Sequence, residues 1–478
     1  MKKFIVILVL LCSAAAFGDA TYTLPTVGAS TNTWGTGLNN YLTAVKVGIN
    51  VKEYGAVGDG DTDDTVALQA AIDASEWKSL YIPSGKYKIT SALELDGQKG
   101  YNIYGDGWDI RASNSGSIIK NAGTGNAINI TTAGTGTSAV DQEVNLIHLS
   151  NFMILGTYVA DGGADSGRGI AARNVHSLFL DRMVIKSNGD SGIVATNCYG
   201  LKVTNSIISL NGNHGINIVN RGNAITIQGC YINGNARNDG SYANLQFAMT
   251  GSAGSDENLG SFVIGNDISS PGDGDAHTAY NVIVQNTLSL AFIGNYVEKN
   301  ESDGQLFNGA STCRNLVIDG NYFQDGDFLL NKCLKSRVTN NTFRKVSVDT
   351  VMTITADAGD GNNYVRGNRL VGGATETFTA FVPFPRGQLG DTSTWDPASI
   401  ASGASLDSAN ITVTGAALGD IAMASLKVDL VGLSLTAAVT ATNTVVCTLV
   451  NNTGGAVNLA SSDLTVRVFQ IAQPDDPA

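Results

Sequence analysis

The chain has 478 residues, 43% of them apolar, and a formal net charge of -13. The apolar share excludes a disordered chain. The acidic balance, with no Lys/Arg cluster, excludes a nucleic-acid partner held through its phosphates. The 56 glycines, 8 prolines and 15% charged residues indicate an all-β protein with many tight turns.

Residues 1–18 read as an export signal. Lys2 and Lys3 give a positive start, Phe4 to Leu11 a short apolar core, and Ser13 to Ala16 a run of small residues. The apolar run is too short for a bilayer span, so no membrane insertion is expected once it is removed. Cys12 is placed like a lipid-attachment cysteine, but Leu11 stands where that signal wants a small residue. Cys198, Cys230, Cys313, Cys333 and Cys447 then remain, an odd number that argues against a complete disulfide framework. No CxxC or His/Cys spacing suits zinc. No metal and no cofactor is expected.

Residues 19–48 form a segment of their own. Leu24-Pro25, Asn32-Thr33-Trp34-Gly35 and Leu38-Asn39 resemble a short stretch near the start of phage tail-fibre and tail-spike proteins. An amphipathic linker whose Trp34 packs on the next domain is the other reading. Next comes VKEYGAVGDGDTDDTVALQAAIDAS, followed by LYIPSGKYKI. This run resembles the entry segment of the pectate-lyase-like superfamily of right-handed parallel β-helices. Gly58-Asp59-Gly60 makes a tight turn. Asp63 or Asp64 can cap the helix that follows. Leu68 and Ile72, four apart, share a helix face that can plug the open end of a solenoid. Asp61, Asp63 and Asp64 are acidic enough for calcium, but no matching ligand-bearing loop follows, which favours turn and capping roles.

Over residues 49–372 a six-residue pattern recurs: apolar, any, small or Asn, often Asn, any, apolar. Copies start at Leu149, Leu180, Val203, Ile227, Val263, Phe292, Ile318, Val338 and Val365, so they lie 20 to 36 residues apart. That spacing fits one coil of a parallel β-helix with variable loops, in which each coil buries its apolar face only against its neighbours. Asn and Gly at the corners accept left-handed backbone, and stacked Asn side chains can form hydrogen-bonded ladders. Cys198, Cys313 and Cys333 each precede a copy by five residues and share one corner. They, with Cys230 inside a copy, read as small buried side chains.

Residues 373–402 read as a linker with local structure. In 403–478, alternating strands separated by Gly, Asn and Asp turns predict a small C-terminal β-sandwich. It resembles β-modules at the C-termini of phage virion proteins, and its sparse charge implies burial against sister chains.

No nucleophile elbow, P-loop or dinucleotide glycine set appears in the right context. The working surface expected of a β-helix is an outward strand ladder, with coils roughly 4.8 Å apart. The fifth repeat position should point outward, and it holds Tyr231, Asp267, Tyr296 and Tyr322. Aromatic faces stack on sugars, and carboxylates bind hydroxyls or cleave linkages. Tyr231, Tyr296 and Tyr322 are the candidate substrate-binding residues. Asp267 and Glu298, with Asp319 nearby, are the candidate catalytic ones, at a separation of roughly 5–10 Å that spans retaining and inverting hydrolysis. An ordinary solvated ladder would carry the same residues. A second candidate pair, Asp190 and His214, sits in the aligned turns NGDSGI and NGNHGI, which also suit a plain β-helix corner. The acidic turns 161–165 and 273–275 are possible calcium loops. The catalytic residues of pectate lyases match no positions here.

These features predict a phage-type tail spike or fibre, extracellular or on a virion tail, that binds a cell-surface polysaccharide, with cleavage of it as an added activity left open by the sequence. The resemblance implies a homotrimer. A secreted polysaccharide lyase or glycoside hydrolase is the second reading, favoured by the export signal. A secreted non-catalytic adhesin or structural protein is the third.

Overall fold

The computed structural model describes residues 48–109, 115–132, 146–159, 166–238, 241–250, 260–272, 279–299, 305–310, 313–331, 333–347, 349–355, 363–379 and 389–469. The export signal, nearly all of the segment at 19–48, and the acidic turns 161–165 and 273–275 lie outside them.

Three long parallel sheets of 12, 12 and 11 strands wind as a right-handed β-helix. Each repeat copy spans the end of a first-sheet strand, a tight corner and a second-sheet strand. The first repeat position stacks inward coil on coil in the first sheet, as Leu149↔Leu180↔Val203↔Ile227↔Val263↔Phe292. The sixth does so in the second sheet, as Ile154↔Ile185↔Ile208↔Ile232↔Ile268↔Val297. Both stacks are buried in one continuous core. Burying one such side chain contributes roughly 1.5–3 kcal/mol. Late coils change from aliphatic to aromatic, with Phe292, Phe323 and Phe343 stacked at 6.3 and 5.1 Å.

The third repeat position has positive φ in all nine copies, from Asn151 (59°) to Gly367 (70°), Arg182 and Asn205 among them. This left-handed residue turns the chain from one sheet to the next, which is why Asn or Gly fills it most often. The fourth position points into the corner. There Asn266, Asn295, Asn321, Asn341 and Asn368 form a ladder of amide-to-amide bonds of 2.9 to 3.0 Å. Each Nδ2 also donates to the carbonyl of the preceding coil's first repeat position, as Asn295 does to Val263 at 2.9 Å. Cys230 imitates that amide: its thiol donates to the Val203 carbonyl at 3.4 Å, and its N–H to Asn266 Oδ1. A second ladder, Asn188–Asn211–Asn235–Asn244–Asn281, runs through the corner between the second and third sheets.

The structure has coils that the repeat pattern did not reveal. First-sheet strands Ser79–Ile82 and Tyr101–Gly105 precede the first copy. A longer connection replaces the two-residue corner after Tyr101–Gly105, so the motif is absent there. The described residues contain one α-helix, Thr65–Ala74, whose Leu68 and Ile72 are buried in the first coils' core. Asp64 occupies its N-cap position without capping, and its carboxylate accepts from the N–H groups of Val57 (2.6 Å) and Gly58 (3.0 Å). Asp63 accepts from the Thr65 N–H instead, at 3.0 Å. Asp59 accepts from the N–H groups of Asp61 and Thr62, and these bonds hold its carboxyl down to about 2. Cys198, Cys230, Cys313, Cys333 and Cys447 are buried thiols that take part in no disulfide; burial pushes the Cys198 thiol up to about 12.

Strands continue into the stretch read as a linker. Thr375–Thr379 closes the third sheet, and Leu389–Trp395 pairs with Ser462–Phe469. From Leu389 to Phe469 the strands form two antiparallel sheets around a common core that includes Val445, Cys447, Leu449, Leu464 and Val466, the small sandwich expected of this region.

Candidate functional site

The second sheet's outer face carries two parallel tracks, because alternate residues of each strand point outward. In the first track, Ile118, Met153, Val184, Ile207, Tyr231, Asp267, Tyr296, Tyr322, Thr342 and Arg369 are register partners from coil to coil. The second lies two residues further along and carries Asn233, Ser269, Glu298, Gln324 and Arg344 over the late coils.

The two ends of this face differ. Ile118, Met153 and Val184 are fully buried although they point away from the main core. They form a separate apolar cluster with Trp108, Leu155 and Ile207 against them. The indole N–H of Trp108 donates to the Arg182 carbonyl at 2.8 Å, which holds the ring in place. The cover ends at Ile207, and Tyr231 is 40% exposed.

Beyond that point the four sequence-predicted residues Tyr231, Asp267, Tyr296 and Tyr322 stand directly opposite one another. The rings of Tyr296 and Tyr322 stack at 5.5 Å and 18°. The Tyr296 hydroxyl donates to Glu298 Oε2 at 2.8 Å, and Gln324 Nε2 donates to Glu298 Oε1 at 2.7 Å. Burial, followed by that bond to Glu298, raises the Tyr296 phenol well above its ordinary value. Arg344 donates to the Tyr322 hydroxyl at 3.0 Å, and Ser269 donates to Asp267 Oδ1 at 2.7 Å. The result is a shallow strip of two locked rings edged by hydrogen-bonding groups. Asp267 and Glu298 sit diagonally on adjacent coils, with Cα atoms roughly 8 Å apart from strand spacing and rise.

Asp319 lies elsewhere. It ends a first-sheet strand, on the other side of the corner from Tyr322. Its Oδ1 accepts from Thr339 Oγ1 (2.5 Å) and Asn340 Nδ2 (2.9 Å). Asp181 is held in the same way by Thr204 and Asn205. Both carboxylates clip one coil to the next.

The structure does bring Asp190 and His214 onto neighbouring coils, in a crowded setting. Asp190 accepts from Arg168 Nε and Asn213 Nδ2, each at 2.8 Å, and from Ser191 Oγ at 2.9 Å. Burial would raise its pKa, but these donors hold it below the ordinary value. His214 is buried, accepts the Ala243 N–H at Nδ1 and meets Tyr242 edge-on at 5.2 Å. Burial pushes it down to about 4, and nearby Asp190 only partly offsets this. A neutral imidazole committed to a backbone bond serves the corner as a packing group.

Sequence reasoning passed over Ser269, Gln324 and Arg344. Their signal was present: each stands two residues after a fifth repeat position, as Glu298 does, so the pleat places all of them on the same face.

The architecture is that of a right-handed parallel β-helix, and comparison with known proteins finds likeness over parts of the chain. Residues 48–254 match the family described as "Rhamnogalacturonase A/epimerase, pectate lyase-like". Alginate lyase 7 of Azotobacter vinelandii is 52% identical over 48 residues, which are 9% of this chain and 6% of that protein. The pre-neck appendage protein of Bacillus phage B103 is 48% identical over 48 residues, 10% of this chain and 5% of that protein. The chain thus spans less than a tenth of either relative's length. Among solved structures, ORF18 of Geobacillus virus E2 superposes with a TM-score of 0.50 at 15% identity, covering 95% of this chain and 84% of that one.

Proposed function

We propose that this protein is a phage-type tail-spike or fibre-like protein that binds a cell-surface polysaccharide along the late coils of its second sheet. The observation that carries this reading is the in-register strip Tyr231, Asp267, Tyr296, Tyr322, with two rings already stacked and Glu298 fixed beside them. Coils roughly 4.8 Å apart let successive outward side chains reach successive sugars of an extended glycan. Rings held by their own hydrogen bonds lose little freedom when a sugar stacks on them. The phage-protein likenesses and the tail-spike-like segment at 21–45 support the same reading. Association of copies is supported by the edge strand Ile421–Leu426 of the terminal module, which exposes Ile421 and Met423 without a charge; the tail-spike resemblance implies that the assembly is a homotrimer. If the strip also cleaves its glycan, Asp267 and Glu298 are the acid/base pair. A secreted polysaccharide lyase or hydrolase is the second reading, favoured by the export signal at 1–18.

The test is incubation of the mature protein with pectins, capsules and O-antigens, following retention of polysaccharide, new reducing ends and ultraviolet absorbance of unsaturated sugars. Retention without new ends supports a binding spike. New ends without absorbance, lost in Asp267→Asn and Glu298→Gln, support hydrolysis at the strip. Absorbance that survives both substitutions removes the carboxylate pair. No retention of any polysaccharide overturns the proposal.

A further inference from the structure

A second surface, on another sheet and at the other end of the solenoid, has the makings of a sugar site. Trp77 follows the helix Thr65–Ala74 and is 65% exposed. It holds a left-handed backbone conformation, φ 61°, which is unfavourable for a non-glycine residue. Two features hold it there. Its N–H donates to the Gly100 carbonyl at 2.8 Å, and its ring lies on the Gly100 Cα, where an added Cβ would stand 2.8 Å from the indole. These two contacts hold an exposed, fixed aromatic face against the strain. Backbone strain kept at the surface is a recurrent mark of binding sites.

The ring forms one wall of an open cavity of about 500 Å³, also lined by Lys78, Ser79, Asn102, Leu146 and His148. Ser79, Asn102, His148 and Phe179 point outward from successive coils of the first sheet in one register. Asn102 is oriented by a 2.9 Å bond to Ser79 Oγ. Lys202 is the next register partner after Phe179 and holds its ammonium group over the Phe179 ring, 4.6 Å from the centroid. A fixed aromatic face, then donors and acceptors at coil spacing, is the composition of a small-ligand pocket. It suits a pyranose, whose axial C–H face stacks on an indole while its hydroxyls reach the neighbouring polar groups.

We propose that the first sheet carries a separate glycan-binding site, with one pyranose on Trp77 and the following sugars along Asn102, His148 and Phe179. It does not depend on the tyrosine strip. The test titrates the full mature protein with hexamers of glucose, mannose, galacturonate and mannuronate at millimolar concentration, read by tryptophan fluorescence and saturation-transfer NMR. The proposal expects at least one hexamer to bind, with affinity about tenfold weaker in Trp77→Ala. Gly100→Ala, which displaces the ring without removing it, should weaken binding too. The double variant Tyr296→Ala/Tyr322→Ala should leave this binding intact. Three results would overturn it: binding unchanged in Trp77→Ala, no hexamer bound, or a change of assembly size in Trp77→Ala, which makes the ring a contact between copies. Loss of binding only in the tyrosine double variant would sink this site and leave the proposed function standing.

Discussion

The early and late coils of the second sheet share one backbone plan and have opposite outer faces. From Ile118 to Val184 the outward track is apolar and sealed under Trp108; from Tyr231 to Tyr322 it is aromatic, polar and open. The corners follow the same division. Phe152 and Met183 fill the fourth repeat position in covered coils, whereas Asn266, Asn295, Asn321 and Asn341 fill it in open ones. A covered coil can hold its corner by packing. An open coil takes that order from a buried hydrogen-bond ladder, which leaves its outer residues free to serve a ligand.

The largest contrast should come from placing a charge in each half. Val184→Asp puts an unpaired carboxylate under Trp108 and should cost about 3–5 kcal/mol in urea denaturation. Tyr231→Lys, two coils on and opposite Asp267, should change stability by less than about 0.5 kcal/mol. Equal costs would mean that the late coils are covered as well.

His214 sits where the cover ends. Its folded-state pKa is depressed from 6.5 to about 4. The unfolded chain therefore binds the extra proton more readily. The contribution is fully present above pH 6.5 and is lost as pH falls toward 4, by about 3 kcal/mol. His214→Gln should flatten the stability profile in that window relative to the parent. An unchanged profile would place the imidazole in contact with water.

Asn295→Leu should cost about 2 kcal/mol, because the Asn266 N–H and the Val263 carbonyl lose their partner. A neutral outcome would mean that the open coils do not rely on the ladder. The smallest effect concerns binding. Tyr296→Ala should weaken retention of whichever polysaccharide binds by about tenfold, with stability little changed. Met153→Leu, in the covered half, should leave retention unaltered.

Much of the fold was legible because a β-helix repeats the same physical demands. The corner after each first-sheet strand needs a left-handed residue, so Asn and Gly recur at the third position. The core needs apolar first and sixth positions. Once those are fixed, the pleat sends the fifth position outward, and Tyr231, Asp267, Tyr296 and Tyr322 fall on one line by sequence alone. Glu298 followed from the same two-residue step.

The rest depended on contacts that a repeat does not encode. Whether an outward residue is open depends on Trp108, which reaches Arg182 from 74 residues away in the chain. Asp319 lies three residues before Tyr322, yet Thr339 and Asn340 of the next coil claim its carboxylate. Asp190 and His214 meet as the aligned turns predicted, but only burial and the Ala243 N–H reveal a neutral, committed imidazole. Trp77 carries no motif, and the cavity beside it exists because Gly100 and His148 arrive from later coils. The sequence by itself determined the coil, its corners and the direction of each side chain, because these are local and periodic. Which faces stay open, and what each polar group is bound to, only the tertiary structure decided, because that depends on residues one or more coils away.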